Sequence, residues 1–184
     1  MNVLAISGSL RADSHNTALL RALREEAPSG VEIELWDGLR EIPPYDADAD
    51  GAPGPATVES LRSLVRDADA VFFATPEYNS SIPGALKNAI DWASRPIATN
   101  PLRNKPVAVI GASTGMFGAV WAQAELRKVL AATGARVTDA ELAVGHAHER
   151  LDHAGHPTDA AQGEALDDAV GMLLAELQPL DIAA

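Results

Sequence analysis

Short runs of apolar residues alternate along the chain with longer segments in which apolar residues recur every three or four positions. The apolar runs occupy residues 3–6, 31–35, 70–74 and 107–110, with a weaker run at 140–144. The helical patterns lie at residues 16–26, 56–66, 83–94, 118–133 and 159–177. Strands that alternate with helices are typical of a parallel sheet with helices on both faces. The pattern therefore predicts an α/β protein with five strands and five helices.

The second apolar run differs from the others. It alternates apolar and charged residues over positions 31–35, as a strand at the edge of a sheet does, whereas the other runs are apolar throughout. This contrast fits a doubly wound sheet of strand order 2-1-3-4-5, in which strands 1, 3 and 4 are central. Ligands of such sheets bind beyond the carboxyl ends of the strands. We therefore expect the loops after strands 1, 3 and 4 to form the functional site.

Length and composition narrow the class of protein. A chain of 184 residues can bury one core, so residues 1–184 are expected to form a single domain. The stretch 42–55 contains four prolines and is interpreted as a surface loop of that domain. The chain contains no cysteine, which excludes disulfides and thiolate metal sites and makes the cytoplasm the expected location.

The net charge of −12 disfavours binding to nucleic acid or to an anionic membrane. The longest apolar runs have about five residues, far fewer than the roughly 20 that a membrane-spanning helix needs. Most of the acidity lies in residues 139–184, which contain 10 acidic residues and one arginine. Residues 1–138 contain 16 acidic and 13 basic residues, so the three expected site loops lie in a nearly balanced part of the chain.

The segment 7–17, after the first predicted strand, resembles a phosphate-binding loop. It combines a glycine, four hydroxyl residues, an amide and Arg11 directly before a predicted helix. Hydroxyls, backbone N–H groups and the helix N-terminus can surround phosphate oxygens, and Arg11 adds a full positive charge. For Ser14 and Asn16 individually, a role as the helix N-cap is an equally good interpretation.

The segment 75–92, after the third predicted strand, carries a rigid polar loop. Pro76 and Pro83 restrict the backbone, and a polar set with one aromatic ring lies between them, as a planar ligand would require. In the helix that follows, Lys87 and Asp91 are expected to form a surface ion pair. Leu86, Ile90 and Trp92 are expected to pack in the core.

Two motifs in these loops, S-G-S-L-R-x-x-S-x-N at 7–16 and T-P-E-Y-N-x-S-I-P-G-x-L-K-N-A-I-D-W at 75–92, resemble the NAD(P)H-dependent FMN reductase family. The resemblance implies a flavodoxin-like fold, bound FMN, and NADPH or NADH as the hydride donor. Implied acceptors are small molecules: quinones, azo and nitro compounds, chromate or free flavin. It also implies a homodimer or homotetramer, with FMN near a subunit interface.

The same resemblance assigns site residues but no catalytic acid or base. It places the FMN phosphate against five residues of the first loop: Ser9, Arg11, Ser14, Asn16 and Thr17. It places the flavin ring against four residues of the second loop: Pro76, Glu77, Tyr78 and Asn79. The loop after strand 4 adds Ser113, Thr114 and Gly115. Backbone N–H groups of residues 77–79 and 113–115 are expected to stabilise negative charge on the reduced ring.

Three alternatives compete with this interpretation. Residues 111–115 also fit G-x-S-x-G, so Ser113 could be the nucleophile of a serine hydrolase, with Asp139 and a later histidine completing a triad. A flavodoxin-type electron carrier would share the fold and FMN but would serve a protein partner. The histidines at 146, 148, 153 and 156 have spacing known from metal sites, but they are interpreted as solvated loop residues and no metal is expected.

Overall fold

A computed structural model describes residues 1–51 and 53–176 of the chain. Its strands and helices follow one another in this order: β1 (Asn2–Ser7), α1 (His15–Glu25), β2 (Glu32–Trp36), α2 (Ala56–Asp67), β3 (Ala70–Ala74), α3 (Gly84–Ala93), β4 (Pro106–Ala112), α4 (Val120–Ala132), β5 (Arg136–Val137), β6 (Leu142–Val144), α5 (Ala147–Arg150) and α6 (Ala160–Ala175). Short 3-10 turns occur at Gly38–Glu41, Ala47–Ala49 and Ile97–Thr99. The predicted end of the last helix, residue 177, lies outside the described residues.

All strand pairs are parallel, and the sheet order is β2-β1-β3-β4-β5, with β6 also paired to β4. This confirms the predicted order 2-1-3-4-5 and the α/β, flavodoxin-like class. Strand β2 lies at the edge, where Glu32 and Glu34 face solvent and Ile33 is buried, as the alternating pattern predicts. Helices α2, α3 and α4 cover one face of the sheet and α1 and α6 the other.

The prediction of one fifth strand at residues 140–144 is wrong in extent. Two short strands, β5 and β6, lie next to β4 where one strand was predicted. Strand β5 pairs with the start of β4, and β6 pairs with its end. Between them the guanidinium of Arg127 donates to the carbonyl oxygens of Thr138 at 2.9 Å and Val109 at 2.8 Å, and also to that of Ala140. Backbone acceptors in the gap are therefore satisfied by a side chain instead of by a continuous ladder.

The described residues of the proline-rich stretch, 42–51 and 53–55, form a surface loop, as expected, and this loop is hydrogen bonded to α3. The indole of Trp92 is fully buried and donates to the carbonyl of Pro43 at 2.8 Å, and Asn88 donates to the same carbonyl at 2.8 Å. Tyr45 packs edge-on against Trp92, with ring centroids 4.9 Å apart. The interpretation of Trp92 as a packing residue is confirmed.

The rest of α3 also follows the prediction. Leu86 and Ile90 are buried in the core on the α2–α4 face of the sheet. Lys87 and Asp91 form an ion pair at 2.7 Å on the exposed side of the helix. This division of one helix into a buried and a charged face positions its N-terminus, and the loop before it, beside the ends of the central strands.

Candidate functional site

Three loops meet at the carboxyl ends of the central strands: the first loop (residues 8–14), the second loop (75–83) and the third loop (113–119). The first is joined to the end of β3, directly before the second loop, by a hydrogen bond from Gly8 N to the carbonyl of Ala74 at 2.8 Å. The second joins β4 through Thr75 N and the carbonyl of Ile110, at 3.0 Å. A Cβ atom on Gly8 would lie 2.9 Å from Leu86 Cδ2, so a larger residue at this position would require the Leu86 side chain to shift.

Hydroxyl groups organise the first loop. Ser7 Oγ and Thr17 Oγ1 are 2.8 Å apart, Ser9 N donates to Ser7 Oγ at 3.3 Å, and Arg11 N donates to Ser9 Oγ at 3.3 Å. Ser14 is the N-cap of α1, because its hydroxyl accepts from Thr17 N at 3.3 Å. The N-cap interpretation therefore holds for Ser14. These contacts orient several hydroxyls and a helix N-terminus around one loop, as an anion site requires.

Arg11 projects from the first loop into solvent. Its guanidinium donates to the carbonyl of Asp13, and within residues 1–51 and 53–176 it pairs with no carboxylate. The adjacent carbonyl of Leu10 accepts from Arg40 Nη2 at 2.6 Å, which ties the loop to the turn after β2. Arg11 thus has an unneutralised charge available to a ligand.

The positive charge of Arg11 also affects the imidazole of His15. Burial lowers the pKa of His15 below its usual value, and the positive charges of Arg11 and His148 lower it further. The positive charge at the first loop therefore disfavours protonation of His15. A phosphate dianion beside Arg11 would oppose these two charges.

Asn16 has a structural role that sequence reasoning did not find. Its amide donates to the carbonyl of Ala112 at 2.8 Å and accepts from Ala112 N at 2.9 Å, and the residue is only 3% exposed. Both amide atoms therefore link α1 to the end of β4, which positions the first loop against the third. A direct contact between Asn16 and phosphate stays a prediction.

The second loop ends in a tight turn that exposes an aromatic ring. Tyr78 N donates to the carbonyl of Ser81 at 3.0 Å, and Ser81 N donates back at 3.1 Å. The two residues at the tip, Asn79 and Ser80, have φ angles of 54° and 59°, so both lie in the left-handed region that defines a type I′ turn. Tyr78 itself is 52% exposed, so its ring is accessible to a ligand.

Glu77 is the N-terminal cap of α4. Its Oε2 accepts hydrogen bonds from Trp121 N at 3.1 Å and Ala122 N at 3.2 Å. The residue at the N-cap position, Ala119, has no side-chain acceptor, so a carboxylate from the second loop satisfies the free N–H groups. The sequence signal for this contact is that alanine, which cannot cap a helix, stands at the N-cap position 119. The predicted contact of Glu77 with the flavin ring stays a prediction, for which its backbone N–H is available.

The third loop rests on the segment that follows β6. Ser113 N donates to the carbonyl of Val144 at 3.0 Å, and Ala147 N donates to the carbonyl of Ser113 at 2.9 Å. His146 N donates to the carbonyl of Gly115 at 3.0 Å. The backbone around His146 thus supports the loop, although sequence reasoning assigned this segment no role.

Fewer backbone N–H groups of the second and third loops are available to a flavin ring than expected. The N–H groups of Ser113 and Tyr78 already donate to carbonyls within the protein. In the two loops, the N–H groups of Glu77, Asn79, Thr114 and Gly115 make no such bond and remain free for a ligand. The expectation of ring-facing amides therefore narrows to these four.

The third loop and the start of α4 form an exposed patch, called the aromatic patch, of four side chains: Met116, Phe117, Val120 and Trp121. Their exposed fractions range from 42% to 64%, and the rings of Phe117 and Trp121 pack edge-on with centroids 4.9 Å apart. Exposed apolar side chains that cluster in this way are common where proteins contact one another.

The rival sites gain no support. Ser113 Oγ donates to the carbonyl of Gly115 at 3.3 Å, and no histidine ring of the described residues hydrogen bonds to it, so the base of a hydrolase triad is missing. His156 contacts Asp152, Glu25 and Glu26 on the surface. Across residues 1–51 and 53–176, no group of three or more His, Cys, Asp or Glu side chains could hold a metal ion. In the same residues, no helix is long and apolar enough to cross a membrane.

The doubly wound sheet with a phosphate-type loop and two further loops at the ends of β3 and β4 defines a flavodoxin-like nucleotide-binding protein. Residues 1–149 match the family described as NADPH-dependent FMN reductase. The chain belongs to this family, and it is an FMN-dependent oxidoreductase of the NAD(P)H-using class.

Individual relatives agree with this assignment. The chain is 42% identical over 184 residues to an NAD(P)H-dependent FMN reductase of Pseudomonas aeruginosa, covering 99% of this chain and 94% of the relative. It is 44% identical over 131 residues to a quinone reductase of Escherichia coli, covering 71% and 69%. Among solved structures, the flavoenzyme NAD(P)H:(acceptor) oxidoreductase FerB of Paracoccus denitrificans superimposes with a TM-score of 0.87 at 36% identity, covering 96% of each chain. All three are named as reductases or oxidoreductases, which favours the enzyme over the electron-carrier alternative.

Proposed function

We propose that the chain transfers reducing equivalents from NADPH or NADH to small acceptors, quinones first among them, through FMN bound at the three loops. The observation that carries this proposal is the meeting of the three loops at the ends of β1, β3 and β4. Their polar groups are arranged in two parts. The first loop offers hydroxyls and the unpaired Arg11, and the other two offer free backbone donors beside Tyr78.

The residues present fit FMN on physical grounds. A phosphate dianion needs several donors and a positive charge. The first loop supplies Ser9 and Arg11, and the first turn of α1 supplies Thr17. Ser14 keeps this helix end capped. A flavin ring needs a flat, partly apolar surface with donors at its polar edge, which Pro76, Tyr78 and the free N–H groups of residues 77, 79, 114 and 115 provide.

In the proposed mechanism, bound FMN supplies the hydride relay between nicotinamide and acceptor. Arg11 and the loop hydroxyls hold the phosphate. The four free N–H groups of the second and third loops stabilise negative charge where it increases during reduction. Tyr78 lies at the open side of the site, where it orients whichever planar molecule binds next. No side chain of the three loops needs to act as a general acid or base.

The purified protein, loaded with FMN, is expected to be yellow. Under anaerobic conditions NADPH or NADH should bleach the flavin absorbance, and a benzoquinone should restore it, which spectrophotometry records directly. Azo compounds, nitro compounds, chromate and free flavin are then compared as acceptors. A protein that takes up no FMN, or holds FMN that neither nicotinamide reduces, would refute the proposal.

Replacing Arg11 by alanine is expected to weaken FMN binding about 10- to 150-fold, because it removes a charge-assisted contact of about 1.5–3 kcal/mol. The dissociation constant is measured by quenching of flavin fluorescence. Arg66→Ala is the matched control, since Arg66 is an exposed arginine in the last turn of α2, away from the loops. Equal loss of affinity in both variants would mean that the phosphate lies elsewhere.

The protein is also proposed to be a homodimer or homotetramer that buries the aromatic patch. Phe117→Asp places a charge in the patch and should shift the species observed by light scattering toward the monomer. Met172→Asp, on the exposed side of α6, is the control and should leave the mass unchanged. An unchanged assembly in Phe117→Asp would place the interface on another surface. A single domain over residues 1–184 and a cytoplasmic location stay predictions.

A further inference from the structure

A groove with a volume of about 400 Å³ lies between α1 and the end of β2, next to the first loop. Ser9, Arg11 and Thr17 line the wall that it shares with the first loop. The opposite wall comes from β2 and the turn Gly38–Glu41, including Trp36 and Arg40. The groove is thus separate from the second and third loops but continuous with the phosphate side of the site.

The groove is strongly basic in a protein that is acidic overall. Four arginines line it, namely Arg11, Arg21, Arg24 and Arg40, together with a single carboxylate, Asp37. Throughout the described part of the chain, none of the four arginines forms an ion pair with a carboxylate. The lining therefore has a formal charge of +3, whereas the whole chain has −12. Arginines gathered without acidic partners attract an anionic ligand, which completes their hydrogen bonding.

The groove also has an apolar side. Leu10, Leu20, Leu35 and the indole of Trp36 contribute to its lining. A free inorganic phosphate would leave this surface unused, whereas a phosphorylated molecule with an aromatic base would cover it. The chemistry of the groove therefore favours a nucleotide over a simple anion.

The location of the groove favours one part of a dinucleotide. The groove adjoins the phosphate side of the flavin site and has no wall from the second or third loop, so it suits the end of a nicotinamide nucleotide that lies away from the ring. A carboxylate commonly binds the free 2′-OH of such a ribose, and an arginine a 2′-phosphate. Here Asp37 follows β2 directly and Arg40 lies one turn further on. Without Arg11, which the flavin phosphate would occupy, three arginines still outnumber one carboxylate, and this balance favours the phosphorylated ribose.

We propose that this groove binds the 2′-phosphoadenosine end of NADPH and makes the protein prefer NADPH over NADH. Arg21 and Arg24, one turn apart on α1, and Arg40 from the opposite wall bind the 2′-phosphate. The adenine lies on the apolar side. Arg11 stays with the flavin phosphate. The identity of the ligand rests on the proposed function, since that function requires a nicotinamide nucleotide next to FMN.

The test is direct binding of nucleotide fragments to the FMN-loaded protein by isothermal titration calorimetry. Adenosine 2′,5′-bisphosphate is expected to bind at least about tenfold more tightly than 5′-AMP, since the 2′-phosphate makes the charge-assisted contacts. Arg24→Gln should weaken the bisphosphate about tenfold and leave 5′-AMP almost unchanged. Arg66→Gln, which removes the same charge from α2, should change neither. The melting temperature of each variant shows that it is folded.

Three outcomes would overturn the proposal: equal affinity for the two fragments, an Arg24→Gln variant that binds the bisphosphate as tightly as the parent, or inorganic phosphate that binds as tightly as the bisphosphate. A fourth is competition. If the bisphosphate binds the FMN-free protein but FMN displaces it, the groove is the flavin phosphate site. Failure of the proposed function is distinguishable, because it would show as lack of FMN uptake or of reduction by either nicotinamide, which these titrations do not measure.

Discussion

Replacing Arg62 by methionine should lower the free energy of unfolding by about 3–5 kcal/mol, because it leaves a buried carboxylate without its partner. Arg62 is 5% exposed and Asp50 is 10% exposed, and their charged atoms are 2.6 Å apart. The same guanidinium pairs with Glu59 at 2.7 Å and donates to the carbonyl of Trp92 at 3.0 and 3.2 Å. The variant therefore loses the group that joins the 42–55 loop to α2 and α3.

The exposed pair Lys87 and Asp91 provides the matched control. Its two side chains are 43% and 40% exposed, so Lys87→Met should cost about 0.5 kcal/mol or less, although the pair has nearly the same separation. Urea unfolding of both variants and of the double variant Arg62→Met with Asp50→Leu measures these differences. A cost below about 1 kcal/mol for Arg62→Met would mean that Asp50 moves into solvent when its partner is removed. Partial recovery in the double variant is expected, since it removes the stranded charge.

The sheet could be predicted because its signals are local. Each central strand is a continuous apolar run, and the edge strand β2 alternates, so the order follows from which strands can tolerate solvent. The same reasoning located the site, because the ends of β1, β3 and β4 must lie at one edge. Asn16 and Glu77 could be predicted as site residues, but their hydrogen bonds to the backbone of other segments could not.

What the sequence could not reveal were contacts between distant segments. Asn16 and Ala112 are 96 positions apart, and Glu77 and Trp121 are 44 positions apart. Nothing in the sequence links the members of either pair. A single side chain that accepts a hydrogen bond from a backbone N–H produces no periodic pattern in the sequence. Arg127 is a third case, since an arginine in a helix gives no sign that it interrupts the strand beside it. Side chains of this kind replace backbone partners, and only the assembled fold shows which partners are missing.

These contacts also show how the three loops act as one unit. Asn16 joins the first loop to the end of β4, Glu77 joins the second loop to the start of α4, and His146 supports the third loop from behind. Each contact ends on a backbone group, so the loops keep their relative positions without a ligand. A site whose donors are fixed in advance spends less binding free energy on ordering them.

Replacing Gly145 by alanine is expected to disrupt this support. A Cβ atom at position 145 would lie 2.1 Å from the carbonyl oxygen of Met116 and 2.8 Å from its carbonyl carbon, so the backbone of the third loop would have to move. The stability cost should be about 1–3 kcal/mol, as for other overpacked sites. The displacement also moves the free N–H groups of Thr114 and Gly115, and FMN affinity should fall with it.

The control for this substitution is Gly163→Ala in α6, where a Cβ atom would meet nothing within 4 Å. There alanine should raise stability by about 0.5–1 kcal/mol, because glycine in a helix loses more backbone entropy on folding. Thermal unfolding gives both stability changes, and a flavin fluorescence titration of each variant gives the affinity. If Gly145→Ala lowers stability but binds FMN as tightly as the parent protein, the third loop contributes its shape to the fold and not its N–H groups to the flavin.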